Sequence, residues 1–138
     1  MVRGTRGDRV VPASEFFCGF LETALAPDEL LVEVRVPKTP GARFSYQKFV
    51  KRAQDWAIVG AAIVRWEGGT GVGLANMGST PIRATVVEQA LASGASAADA
   101  AAVADEGTSP TADLNASEDY RRHLAKVLVR RGLEASAS

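Results

Sequence analysis

Residues 43–64 limit the possible folds most. Arg43-Phe44-Ser45-Tyr46-Gln47-Lys48-Phe49 alternates polar and apolar side chains, the pattern of a strand with one buried face. A short basic corner follows, with Lys51 and Arg52. Trp56 to Trp66 then reads as a long, largely buried strand. Residues two apart on a strand point to the same face. Tyr46 and Lys48 therefore present an aromatic ring and a cation side by side on rigid backbone. That pair suits a flat, electron-rich, polar-edged ligand better than a core.

The rest of the chain extends this start into a fold class. Glu67-Gly68-Gly69-Thr70 has hairpin chemistry, and Val72–Met77 returns antiparallel to the strand before it. Phe44–Lys51, Trp56–Trp66 and Val72–Met77 then form a three-stranded antiparallel sheet. After Gly78 the character changes. Thr80-Pro81 has the form of an N-cap with Pro at the first helical position, so a helix is expected to about Ala92, ended by Gly94. Ser96 with Asp99 resembles a capping box for an Ala-rich second helix closed by Gly107. Ser117 caps a third, with Glu118 and Asp119 at its start and Arg130 and Arg131 in its last turn. Tyr120, Leu124, Val127 and Leu128 mark its apolar face. Strands first and helices afterwards predict an α+β fold: the three-stranded sheet packed by about three C-terminal helices.

The first 37 residues fit this plan poorly. Leu30–Val36 alternates like a strand, stopped by Pro37, Pro40 and Gly41, yet it lacks partners in the sheet just described. The simplest reading makes the chain the C-terminal part of something longer.

Composition excludes several functions. The 138 residues carry 16 basic and 16 acidic side chains, so no bulk charge draws the chain to nucleic acid or anionic membrane. No apolar run is long enough to span a bilayer. Arg3, Arg6 and Arg9 are followed by no apolar segment of the secretory type. One cysteine, Cys18, permits no internal disulfide and no CxxC metal motif; one histidine, His123, permits no two-histidine site. No residue stands out as catalytic or metal-binding. Cys18 reads as buried and inert, Trp56 and Trp66 as packing anchors. Arg121, Arg122, Lys126, Arg130 and Arg131 make the one basic stretch that a nucleic acid would use, and acids capping the same helix argue against that use. Tyr46 has the alternative reading of an exposed strand aromatic, and Lys48 that of a solvated edge charge.

Three groups of segments carry a resemblance. They are Val11-Pro12-Ala13-Ser14-Glu15-Phe16-Phe17 with Pro27 to Pro37; Tyr46-Gln47-Lys48-Phe49 with Asp55-Trp56-Ala57; and Asn76 to Ala84 with Tyr120-Arg121-Arg122-His123-Leu124. Together, in order and spacing, they resemble the FAD-binding (medium) subunit of molybdenum hydroxylases, the group of aerobic carbon monoxide dehydrogenase and the xanthine dehydrogenases. The resemblance implies that residues 1–37 are the tail of an FAD-binding domain and residues 38–138 the C-terminal domain of that subunit. It implies an oxidoreductase subunit in the cytoplasm. Its partners would be an iron–sulfur small subunit and a molybdopterin large subunit, and electrons would pass from the iron–sulfur clusters through FAD to an acceptor. Leu31, Tyr46 and Lys48 match positions near the flavin. The family's glycine-rich pyrophosphate loops have no counterpart here: Gly71-Val72-Gly73 lacks the third glycine of a dinucleotide fingerprint. The implied FAD site is therefore incomplete in this chain. The alternative is a flavin-free module kept for subunit docking.

Overall fold

The computed structural model describes residues 1–137, which form two compact units, one of Met1–Thr39 and a second that begins at Pro40.

In the first unit, β1 (Val2–Gly4), β2 (Gly7–Arg9) and β5 (Glu29–Leu31) form an antiparallel sheet in the order β2-β1-β5. Between them lie a one-turn helix α1 (Ala13–Phe16) and a two-stranded ribbon, β3 (Phe17–Gly19) with β4 (Glu22–Thr23). The ladder ends at Leu31, opposite Val2, short of the predicted Val36; beyond it the N–H groups of Val32 and Glu33 both donate to Met1 O. Val34 and Val36 are left exposed. Cys18 is exposed as well, contrary to the sequence reading. Val2 is the one described residue of this unit that is buried. Burial of apolar surface is the main driving force of folding, so this unit has little of its own to hold it together. Polar clamps stand out instead. The Arg9 guanidinium grips Glu29 through two bonds of 2.8 and 2.7 Å, and Glu29 also accepts the Ala26 N–H at 2.8 Å.

The second unit contains the core. β6 (Arg43–Phe49), β7 (Val59–Trp66), β8 (Gly69–Ala75) and β9 (Ile82–Arg83) form an antiparallel sheet in sequence order. Three helices follow: α2 (Thr85–Ala92), α3 (Ala97–Ala102) and α4 (Glu118–Ala135). The α+β prediction holds, with two corrections. The sheet has four strands rather than three, and no helix starts at Thr80-Pro81. Ile82 pairs with Leu74 and packs against the core, so this segment is drawn into the sheet. Helix α2 then begins at Thr85 without a side-chain cap. Glu88 lends its carboxylate to the Val72 N–H and to Arg83 instead. The Ser96 and Ser117 caps form as read, accepting from the N–H of Asp99 and Tyr120.

Helix α4 packs on β6 and β7, and α2 on β8. Ala61, Ile63, Val72 and Leu74 face these helices and are buried with Val87, Leu124, Ala125, Leu128, Val129 and Leu133. The buried stripe of α4 also includes Arg121, while Tyr120 is exposed, with its ring edge-on to Phe49. The helix runs beyond Arg130 and Arg131 to Ala135. It lies close against the sheet at Gly132, where a Cβ would collide with Ile63 Cδ1.

Two predictions follow from these contacts. Overpacking costs about 1–3 kcal/mol, more than the roughly 1 kcal/mol that alanine gains over glycine in a helix. Gly132→Ala therefore lowers stability in denaturant titrations. Ile63→Val removes the clashing methyl, and the double variant is less destabilised than the sum of the singles. In the first unit, Arg9, and then the Ala26 N–H, hold the Glu29 carboxyl down from 4.5 to about 2. A carboxyl depressed on folding stabilises fully above its unfolded value, and that contribution is lost as pH falls through the folded value. Amide-exchange protection of β1 and β5 should therefore weaken between pH 4.5 and about 2. Glu29→Gln should show lower protection at neutral pH and a smaller change across that window.

Candidate functional site

With the helices on one face of the four-stranded sheet, the other face of the sheet is open. Phe44, Tyr46 and Lys48 stand on it from β6, and Gly60, Ala62, Val64 and Trp66 from β7. Gly71, Gly73 and Ala75 continue it on β8. Register places Tyr46 opposite Ala62 and Lys48 opposite Gly60. The centre is thus paved with small residues and bordered by aromatic and cationic ones. Tyr46 is 58% exposed. Its ring leans along the sheet, and its hydroxyl lies 2.9 Å from where a Cβ on Gly60 would be. Lys48 is exposed and makes no ion pair among the described residues. Trp66 rests its indole against Gly68 and Gly71.

The expectation that Tyr46 and Lys48 share one face is met. Leu31 lies in the other unit, at the end of β5. It lines an apolar cavity of about 420 Å³ with Val10, Val11, Pro12, Phe16 and Phe17.

A second cluster was missed by the sequence reading. The chain leaves β6 through the corner 50–58 instead of entering a strand at Trp56. The corner closes with backbone bonds from Asp55 N to Arg52 O and from Ile58 N to Phe49 O. Two side chains take the carbonyls at its end. Asn76, in a left-handed conformation (φ 61°), donates to Ala57 O at 3.0 Å and Ile58 O at 3.2 Å. Arg121, only 2% exposed, donates to Ile58 O from α4. It also pairs with Asp113 at 2.7 Å. The N–H of Asn115 holds the Asp113 carboxyl below its usual range, helped by Ala116 N–H and Arg121 against the cost of desolvation. Around these groups lies a cleft of about 500 Å³, bordered by Lys51, Arg52 and Trp56. Trp56 is 89% exposed and anchors no packing. The one available signal was a lone arginine inside the apolar stripe of α4.

The basic stretch of α4 also breaks up. Arg121 is buried, Lys126 pairs with Asp105 at 3.0 Å, and Arg130 lies 3.8 Å from Glu134. Among the described residues no group of three or more His, Cys, Asp or Glu side chains is placed to hold a metal ion.

Residues 44–136 match the family described as the CO dehydrogenase flavoprotein C-terminal domain. The chain belongs to this family. The carbon monoxide dehydrogenase medium chain of Afipia carboxidovorans is 33% identical to it, over 95% of this chain and 49% of that protein. Among solved structures, carbon monoxide dehydrogenase from Hydrogenophaga pseudoflava superposes with a TM-score of 0.90 at 35% identity, over 99% of this chain and 51% of the other. Quinoline 2-oxidoreductase from Pseudomonas putida 86 gives 0.87 at 28% identity, over 99% and 50%. The resemblance read from the sequence is borne out, and so is the α+β fold. The chain spans about half the length of the curated relatives it matches.

The Tyr46 geometry has a direct test. Gly60→Ala should displace the phenol from the sheet, read as loss of contacts between the Tyr46 ring and residue 60 in an NMR spectrum. The cost in stability should be about 1 kcal/mol, because the hydroxyl is the movable end of a side chain while Ala75 Cβ, 3.3 Å from the new methyl, has to give by a few tenths of an ångström.

Proposed function

We propose that this chain is part of the FAD-containing medium subunit of a molybdenum hydroxylase, an oxidoreductase of the carbon monoxide dehydrogenase or xanthine dehydrogenase type. In this reading residues 1–37 are the tail of the FAD-binding domain and residues 38–138 the C-terminal domain. Electrons arrive from iron–sulfur clusters of a small subunit and leave to an acceptor, while the molybdenum chemistry belongs to a large subunit. Bound FAD supplies the electron-carrying chemistry. The setting is the cytoplasm, in keeping with the finding that no described helix is long and apolar enough to cross a membrane.

One observation carries the reading: the open face around Tyr46 and Lys48. Its small residues leave room for a planar ring system. Tyr46 offers stacking area at low entropic cost. Lys48 places positive charge without a neighbouring carboxylate to cancel it, which favours an anionic reduced flavin and raises its potential. Leu31, in the other unit, enters this reading by the family resemblance alone. The residues present fit the ring end of the cofactor. They do not supply the pyrophosphate end, since Gly71-Val72-Gly73 is committed to pairing within the sheet. The chain's own work is to bind, orient and tune. No residue of the face is placed as an acid, base or nucleophile.

Flavin absorbance of the purified protein, with and without added FAD, is the first test. Tyr46→Ala should weaken FAD binding by roughly 2- to 10-fold, the value of one aromatic contact. Lys48→Met should lower the flavin potential by some tens of millivolts. A folded protein that binds no flavin and keeps its subunit contacts would favour the docking-module alternative.

A further inference from the structure

Arg121 presents an energetic puzzle. Its guanidinium is almost wholly buried, and its Nε lies inside the protein without a hydrogen-bond partner. An orphaned buried donor costs stability, and a buried ion pair is often matched or bettered by apolar side chains of similar size. Its partners do not depend on it. Ile58 O keeps the Asn76 amide, and Asp113 is half-exposed and keeps two backbone N–H donors. Stability alone therefore gives no reason for a charge here.

What the charge does achieve is geometric. From one helix turn it reaches the carbonyl of Ile58, 63 positions away in sequence, and Asp113 in the loop before α4. Ile58 ends the corner that connects β6 to β7, and the same two strands carry Tyr46, Lys48 and Gly60. Lys48 lies two residues before the corner, and its partner Gly60 two residues after it. Only the Phe49–Val59 pair separates the corner from Lys48 and Gly60, so a shift of the corner is passed to this end of the open face.

We propose that Arg121 is a positioning residue: it ties the corner 50–58 to α4 and so presets the Lys48–Gly60 end of the half-site that receives the flavin ring. It touches no ligand and acts through the backbone of Ile58. The inference rests on the flavin reading given above.

The test compares Arg121→Met, Arg121→Lys, Tyr46→Ala and Lys48→Met in the whole purified flavoprotein. It measures denaturation midpoint, amide exchange along residues 50–64, and FAD affinity. Arg121→Met should leave the midpoint unchanged or raise it. Exchange at the Asp55 and Ile58 amides should rise about tenfold while Ile63 and Val64 stay protected, and FAD should bind about tenfold more weakly. Arg121→Lys, which keeps a cation able to reach Ile58 O, should recover part of both. If exchange rises equally in the corner and in β7, or does not rise at all, the positioning role is overturned. Wild-type FAD affinity in Arg121→Met, with Tyr46→Ala and Lys48→Met impaired, overturns this inference alone. If no variant alters flavin binding, or the wild type binds none, the flavin reading and this inference fail together.

Discussion

The packing of α4 onto β6 and β7 gives the sheet its two faces, and most other features depend on it. At Gly132 the helix backbone comes as near to Ile63 as side chains allow. Close approach lets a sheet of Ala, Val, Ile and Leu be covered by one long helix and the shorter α2, with α3 packed against those two helices. Every residue at an odd position of β7, from Ala61 to Arg65, is thereby turned to the helices, and Gly60, Ala62, Val64 and Trp66 to the other side. A period of two permits no compromise: a shift of one residue would exchange the faces entirely. The open face is thus a consequence of how the core is made.

Much of this was legible in the sequence. The alternation in residues 43–49, the long apolar run after it and the glycine hairpin specify three neighbouring strands locally. Ser96 and Ser117 each satisfy an N–H within three residues, so short-range chemistry identifies them. Errors arose where a distant partner overrides local preference. Thr80-Pro81 has good capping chemistry, but Ile82 gains more by pairing with Leu74 and joining the core. Trp56 to Ile58 has strand propensity, but Asn76 and Arg121 take the carbonyls of Ala57 and Ile58. Val34 and Val36 alternate correctly and find no described strand to pair with.

The site divides in the same way. That Tyr46 and Lys48 share one face was legible because two-residue periodicity is visible without tertiary information. The corner was not, since its organising residue lies on α4. In the sequence, Arg121 followed by Arg122 suggests a solvated basic patch. Only the packing shows that the first arginine points into the core and the second donates to Thr108. An arginine at a position where the apolar stripe of a helix predicts a hydrophobe is a weak signal, yet it was the one present.

A flat sheet face sets a limit on what it can bind. Ligand pockets usually cover about 70–90% of a small molecule's surface, and one plane meets a planar ring from a single side. In the flavin reading proposed above, Tyr46 and Lys48 supply one wall and a charge, and the opposite wall comes from other residues. A two-walled site of this kind gains affinity from the effective concentration of its halves as well as from contacts. Each wall must then be held rigidly, because motion in either dilutes the other. Strand backbone provides that rigidity for Tyr46. Lys48 is one pair from the end of the ladder, which closes at Phe49 and Val59, and beyond that pair another fixture holds the chain. A buried guanidinium that bonds to the corner's final carbonyl is that fixture, which is how a costly charge can be worth keeping in an otherwise apolar interface.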